Sequence, residues 1–434
     1  MQRFLFAFIL MASSSAVAVE PVPGVKPLSD GEVRKAVEAL GSRDYRERER
    51  ASQALAGAGE KVLPQLKAGL DKSEAPEVQR RLEVLIAKVK SERLMRPSLV
   101  SVDCKNASLK TILEDLCQQA GYKFSDGGGT DPSITLKRTN VPFWEAMTAI
   151  SDLSGLTIQP QDDVGKGIYA YGNESSSPHE SVTGPFRFTA SNISSSRSVQ
   201  LSNIPRRGRA ANPEYIGMGV QICAEPKTPL VGIGEVTLVK AVDDKGHSRV
   251  PPIADENRRT TRLYVPGNYR SLSQSCSIAL VRGHRDAAAI RELEAKVAVA
   301  ILVEERPEIT VEKLLDANKK KFAGTSLDLE LDEVTEAMGG VSFKITFRQR
   351  DANPDDYNWS NTAMQRVVVL DEHGARMASN GCTEQTNAPG IAVLRLSYSA
   401  AAGAKAGKPA KLILHEWITE TREITFKFKD VPLP

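Results

Sequence analysis

The chain is predicted to be a multidomain α+β protein. It should have an N-terminal α-helical region, a small βαβ-βαβ domain and two C-terminal antiparallel β-sandwich domains. Three observations predict this. Apolar residues recur at helical spacing through residues 29–95. A strand–helix–strand plan occurs twice between Leu99 and Gly172. From Phe186 onward, short alternating runs are separated by Gly, Pro, Asn and Asp, as in sandwiches. At 434 residues there is room for about three or four domains.

Residues 1–18 read as a secretory signal peptide. Arg3 precedes the apolar run Phe4–Met11, and Ala16-Val17-Ala18 fits a small-x-small cleavage site. An uncleaved anchor is the alternative. No Cys lies near the cut, which argues against a lipoprotein, and the run is too short for an ordinary membrane helix. The expectation is an exported chain, periplasmic or extracellular, with no integral membrane span after cleavage. Residues 19–28, rich in Pro, read as a linker.

In 29–95, Ser29 with Glu32 and Asp44 with Glu47 have capping-box spacing. Val33, Ala36, Val37 and Leu40 form one stripe, and Ala51, Ala54, Leu55 and Ala58 a second. Val62, Leu63, Leu66 and Leu70 form a third. Pro76 opens a fourth, with Val78, Leu82, Leu85, Ile86 and Val89. Four short helices resemble two HEAT-like pairs, which bury their stripes against neighbours. The run Arg46–Arg50 reads as a solvated helix face.

Residues 97–172 form the next domain. Val100, Val102 and Cys104 alternate with polar residues, and Ser108 stands at an N-cap position. Leu109, Ile112, Leu113, Leu116, Cys117 and Ala120 make the first helical stripe, ended by Gly121. Ile134-Thr135-Leu136 opens the second copy, and Pro142 precedes the stripe Phe143, Ala146, Met147 and Ile150, ended by Gly155. Both helices are expected on one face of a small sheet.

"VSVDCKNASLKTILEDLCQQAGYKF" followed by "ITLKRTNVPFWEAMTAISDLSGLTI" resembles the short N-terminal domain shared by secretins and TonB-dependent receptors. Asn106–Leu109, Gly121-Tyr122 and Asn140–Phe143 carry the match. The resemblance implies a periplasmic protein–protein contact module. Neither a secretin pore segment nor a transmembrane barrel follows in the sequence, so the family's transport roles are not implied.

Residues 173–184, rich in Ser, read as a linker. The first sandwich is expected at 185–303, with strands at Phe186–Phe188, Val199–Leu201, Met218–Ile222, Glu235–Val239, Thr261–Val265, Ser277–Val281 and Val297–Val303. The second is expected at 304–434, with strands at Leu327–Leu331, Val341–Phe347, Gln365–Leu370, Ile391–Tyr398, Ala410–His415 and Glu423–Phe428. Asp243–Gly246 and Asp371–Gly374 are hairpin-type turns, and Ala400–Pro409 is a loop. "KAVDDKGHSRVPP", "KKFAGTSLDLELDEV" and "ITFKFKDVPLP" resemble paired β-sandwich tails of exported, uncharacterised planctomycete-type bacterial proteins. That likeness implies architecture and lineage, not an activity.

A formal charge of +3 gives no bulk pull toward nucleic acid. Five cysteines are scattered without CxxC or zinc spacing. Cys104–Cys117 and Cys223–Cys276 are possible disulfides; buried thiols are the alternative reading. His179, His247, His284, His373 and His415 show no metal-ligand spacing. His415–Thr419 lacks the second His of a zinc-protease helix. Asp243, Asp244 and His247 fall in a turn. Gly127–Gly129 lacks the Lys-Ser/Thr of a phosphate loop. Asp351, Asp355 and Asp356 could hold calcium but lack EF-hand order. Arg206, Arg207, Arg209, Arg258, Arg259 and Lys319–Lys321 are basic clusters that read as solvated loops or a contact for an acidic partner.

The sequence therefore assigns no catalytic, cofactor-binding or metal residue. Its best reading is a non-enzymatic envelope adaptor with an envelope-protein partner. The alternatives are an exported hydrolase with a site in a β-sandwich cleft and an accessory of a secretion or outer-membrane machine. Whether a calcium or sugar site exists on the sandwiches is left open by the sequence.

Overall fold

A computed structural model describes residues 28–128, 130–161, 167–172, 177–196, 215–251, 270–281, 283–284, 286–337, 339–350, 359–400, 403 and 407–434. The expected signal peptide, most of the expected first linker, the strands expected at 199–201 and 261–265, Asp351, Asp355 and Asp356, and the five loop arginines lie outside these residues. The protein is mixed α+β and divides into two compact units, one ending at Val89 and one spanning Lys90–Pro434.

In the first unit the helices are α1 (Asp30–Ala39), α2 (Tyr45–Gly57), α3 (Leu63–Lys72) and α4 (Pro76–Met95), the last running past the unit's end. Ser29 and Glu32 form the expected capping box on α1. At α2 the structure departs from expectation. Asp44 caps Arg46 N–H, while Glu47 accepts from Ser42 Oγ at 2.5 Å instead of returning to the cap. Val33, Leu40, Leu55, Val62, Leu66, Leu82, Ile86 and Val89 form the core.

The second unit begins with β1 (Leu99–Ser108), α5 (Leu109–Ala120), β2 (Lys123–Asp126), β3 (Ser133–Pro142), α6 (Phe143–Ser154), β4 (Thr157–Gln161) and β5 (Gly167–Tyr171). Asn106 and Asn140 both take positive φ just before their helices, 50° and 54°, a conformation Asn tolerates better than most residues. Gly121 and Gly155 end the helices in the left-handed conformation. The two copies do not build one sheet. Among the described residues the strands β1 and β3 pair only with each other, antiparallel, from Leu99 opposite Pro142 to Ser108 opposite Ser133. A separate sheet has the order β2-β5-β4, with β2 parallel to β5. The unforeseen β5 separates the closing strands of the two copies. Both helices still bury their stripes in one core with Val100, Val102, Ile134 and Leu136.

Beyond lie β6 (Glu180–Thr183), β7 (Phe186–Ser196), β8 (Tyr215–Ala224), β9 (Leu230–Asp243), β10 (Ser273–Leu280) and β11 (Ala289–Val311). They are followed by β12 (Lys320–Ala323), β13 (Leu327–Ala337), β14 (Gly340–Gln349), β15 (Val367–Asp371), β16 (Ala378–Ala388), β17 (Ile391–Ser399) and β18 (Pro409–Pro432). The expected linker at 173–184 contains β6, because Ser181-Val182-Thr183 pairs with Phe186–Phe188.

The sheets are ordered β10-β8-β7-β6, β15-β18-β11-β9 and β12-β13-β14-β17-β16. The strands β11 and β18 run antiparallel from Ala289 opposite Pro432 to Val311 opposite Leu412. Residues of β18 after Trp417 were expected to start a new strand at Glu423; they continue the same one. Each long strand serves two cores. Ile290, Leu293, Val297 and Ile301 of β11 share one core with Ile424, Phe426 and Phe428 of β18 and Phe186 and Phe188 of β7. Phe188 stacks on Phe426 at 4.4 Å and 8°. Ile309 and Val311 share another with Leu412 and Leu414, and with Phe343, Phe347 and Leu396. The expected boundary between residues 303 and 304 thus falls inside β11, and the C-terminal half of β18 belongs to the earlier core.

Candidate functional site

The ribbon β1–β3 has two unlike edges. On β1, Ser101 N donates to Gln119 Oε1 at 2.9 Å, and Gln119 Nε2 donates to Ser101 O at 2.8 Å. A side-chain amide from α5 thus takes the place a neighbouring strand would occupy. On β3, no second strand pairs among the described residues, and Lys137, Arg138, Thr139 and Asn140 are exposed. Lys137 reaches Asp103 across the ribbon at 2.5 Å, an exposed pair that contributes about 0–1 kcal/mol. The outward face is polar apart from Leu99.

Where the module meets the β-rich body lies a buried carboxylate. Glu225, fully buried in the turn after β8, accepts Ser98 N–H at 3.0 and 3.1 Å and Tyr122 Oη at 2.6 Å. Lys227 Nζ is 3.2 Å from the same carboxylate and donates to Ser98 Oγ at 2.9 Å. Ser98 Oγ is also 3.0 Å from Tyr122 Oη. Burial first, then the Glu225 charge, pushes the Tyr122 phenol up, so it stays a hydrogen-bond donor. A Ser–Lys contact is the start of a hydrolase dyad, but here Lys227 Nζ also contacts Glu225 and Ser98 Oγ also contacts Tyr122 Oη, so both groups are engaged in one network. The cluster is a polar joint. Beside it, Arg187 stacks on Trp144 at 4.5 Å and donates to Ile158 O, while Trp144 Nε1 donates to Pro185 O.

The two expected turns prove to be one device used twice. Asp243 Oδ1 accepts N–H bonds from Lys245 and His247 at 3.1 and 2.8 Å. Asp371 Oδ1 accepts from His373 and Ala375 at 2.9 and 2.8 Å. Gly246 and Gly374, at φ 85° and 79°, close both turns. Asp243 also takes His284 N–H and faces Arg249 at 3.4 Å. Burial raises the Asp243 pKa, but the N–H bonds from His247, His284 and Lys245 outweigh it and hold the carboxyl below its ordinary value.

The structure brings His247 and His284 together as stacked rings, 5.2 Å apart, which the sequence did not foresee. His179 Nδ1 lies 3.1 Å from Lys429 O and His415 Nδ1 3.4 Å from Arg366 O; His373 sits in its exposed turn. No group of three or more His, Cys, Asp or Glu among the described residues is arranged to hold a metal. Lys321 pairs with Glu330 at 3.6 Å, beside a cavity of about 290 Å³ lined by Phe322, Asp328, Thr346 and Arg348. Gly127 packs against Ala170 and the Tyr169 ring, so it forms part of the β2–β5 contact.

None of the five cysteines is in a disulfide. Cys223 points into the core of the α/β module, whereas Cys276 packs in the core with Phe186, so the proposed Cys223–Cys276 pair faces opposite sides of one sheet. In the other proposed pair, Cys117 is buried in the module core, while Cys104 is half-buried with its thiol 3.5 Å from Leu136 O.

No protein-family profile matches the chain, and no curated protein or solved structure matches it.

Proposed function

We propose that the protein is a non-enzymatic adaptor of the bacterial cell envelope, acting in the periplasm or outside the cell. On this reading residues 97–172 are a contact domain like the short N-terminal domain of secretins and TonB-dependent receptors. HEAT-like helices precede it, and a pair of β-sandwiches carries it. The partner is an envelope protein that adds an extended segment to β3. One observation supports this above others: β1 has its edge closed by Gln119, while β3 presents exposed Lys137–Asn140 with no further strand paired to it among the described residues. The buried joint at Glu225 fixes the module to the body, which limits the ordering cost of docking.

The test is cross-linking in the native envelope followed by mass spectrometry, with Lys137→Glu/Arg138→Glu and Thr139→Pro variants. The reading expects the main cross-linked partner to be lost in both variants while circular dichroism is unchanged. Undiminished capture by both variants refutes strand addition at β3. Turnover of a substrate by purified protein refutes the non-enzymatic reading.

A further inference from the structure

The five-stranded sheet turns Leu329, Ile345 and Phe347 into its core, so the alternate residues of β13 and β14 face outward. Register sets the outward residues in two rows. Lys321 stands opposite Glu330, and Glu330 opposite Thr346. Ala323 stands opposite Asp328, and Asp328 opposite Arg348. These six residues line the cavity of about 290 Å³ described above. Its size is near the small end of the about 300–1,000 Å³ usual for ligand sites. Lys321, Ala323 and Arg348 are exposed, so the cavity is reached from solvent.

The charges around it are unevenly matched. Lys321 pairs with Glu330 at 3.6 Å. Asp328 faces Arg348 in register, yet it is taken by Arg350 instead. Nε and Nη2 of Arg350 both donate to Asp328 Oδ1, at 3.1 and 2.8 Å. The side chains of Arg348 and Thr346 make no ion pair or hydrogen bond with any described residue. A solvated arginine without a partner is ordinary on a surface. This one stands at the wall of a cavity, one strand from a carboxylate whose Oδ2 takes no hydrogen bond from a described residue.

We propose that this cavity binds a zwitterionic α-amino acid. The guanidinium fork of Arg348 matches the two oxygens of the ligand carboxylate. A bare carboxylate held there would stand beside Asp328 and Glu330, and like charges at cross-strand distance repel. An ammonium on the next carbon turns that repulsion into attraction. Phosphate is disfavoured on the same ground as a bare carboxylate. Thr346 adds a hydroxyl that can donate or accept. The cavity lies on a different sheet from β3, so the proposal stands whether or not a strand adds there.

The test uses the full chain and saturation-transfer NMR with L-alanine as the probe. Lactate and ethylamine are the comparisons, at matched ionic strength. Lactate keeps the carboxylate and puts a hydroxyl in place of the ammonium; ethylamine keeps the ammonium and lacks the carboxylate. Alanine should bind with a dissociation constant of the order of millimolar, and each comparison at least about tenfold more weakly. Arg348→Leu should abolish alanine binding. Ala323→Trp, which fills the cavity and leaves every charge in place, should do the same. Both positions are exposed, circular dichroism checks the fold, and where one variant loses it the other decides. Asp328→Asn combined with Glu330→Gln should bring alanine down to the level of lactate. No saturable signal from alanine, lactate bound as tightly as alanine, or alanine binding that survives Arg348→Leu or Ala323→Trp would each overturn the proposal.

Discussion

Glu225→Gln tests the polar joint most directly. The substitution keeps the shape of the side chain but removes its charge and one of two acceptor oxygens. In the native protein those oxygens serve Ser98 N–H, Tyr122 Oη at 2.6 Å and Lys227 Nζ at 3.2 Å. Breaking a buried ion pair from one side costs about 3–5 kcal/mol. Lys227 is a quarter exposed and can turn to water, so the lower end, about 3 kcal/mol, is expected. Tyr122→Phe removes one hydrogen bond to a charged group, about 1.5–3 kcal/mol. The two groups touch, so the double variant should fall short of the sum by about 0.5–3 kcal/mol. Hydrogen exchange under native conditions, read on peptides covering 98–122, measures the loss locally. Near-native protection in Glu225→Gln, within about 0.5 kcal/mol, or strict additivity in the double variant, would refute the account of the joint.

Other expectations follow from the same geometry. Asp243 has a depressed pKa in the fold, so the stability it contributes is present above its unfolded value of about 3.9 and is lost as pH falls through the lower folded value. Asp243→Asn should therefore flatten the acid limb of a stability-versus-pH curve, and an unchanged limb would count against the hydrogen-bond assignment. Burial pushes the thiols of Cys117 and Cys276 up to about 12, whereas Cys382 is exposed on β16. A thiol reagent at pH 8 should label Cys382 fast, and Cys117 and Cys276 only after denaturation; rapid native labelling of Cys117 would contradict the packing. Ser29→Ala should cost about 1 kcal/mol in the helical unit, measured by urea unfolding, because both arms of the capping box are made.

The helices and the doubled module were legible because their signals are local. Asn106 and Asn140, Gly121 and Gly155, and the stripes from Leu109 and Phe143 each depend on neighbours a few residues away. The long strands were not. Glu304-Glu305-Arg306-Pro307 reads as a break, yet β11 passes through it with register shifts on either side of that run. Residues 416–422 fall between two expected strands, yet Thr419–Arg422 pairs residue by residue with Val299–Leu302. The strand β16, Ala-Ser-Asn-Gly-Cys-Thr-Glu-Gln-Thr-Asn-Ala, has turn composition and owes its form to β17. Glu225 carries no local signal at all. In "ICAEPKTPL" only Lys227 lies near it in sequence, and its hydrogen-bond partners Tyr122 and Ser98 lie 103 and 127 residues away in the chain. The pairing of His247 with His284 was hidden for the same reason, since adjacency came from two separate loops meeting at Asp243.

The antiparallel pair β11–β18 imposes an order on assembly. Thr183 donates to the carbonyl of Thr425, 242 residues onward, and Phe188 stacks on Phe426. The earlier of the two β-rich cores must therefore wait, half-built, until Ile424, Phe426 and Phe428 arrive. A chain clipped before Glu423 would keep the interior around Phe343 while leaving Phe186 and Phe188 without a roof. That makes the second half of β18 a seal over this core, and its loss would expose the chain to proteases at β7 first.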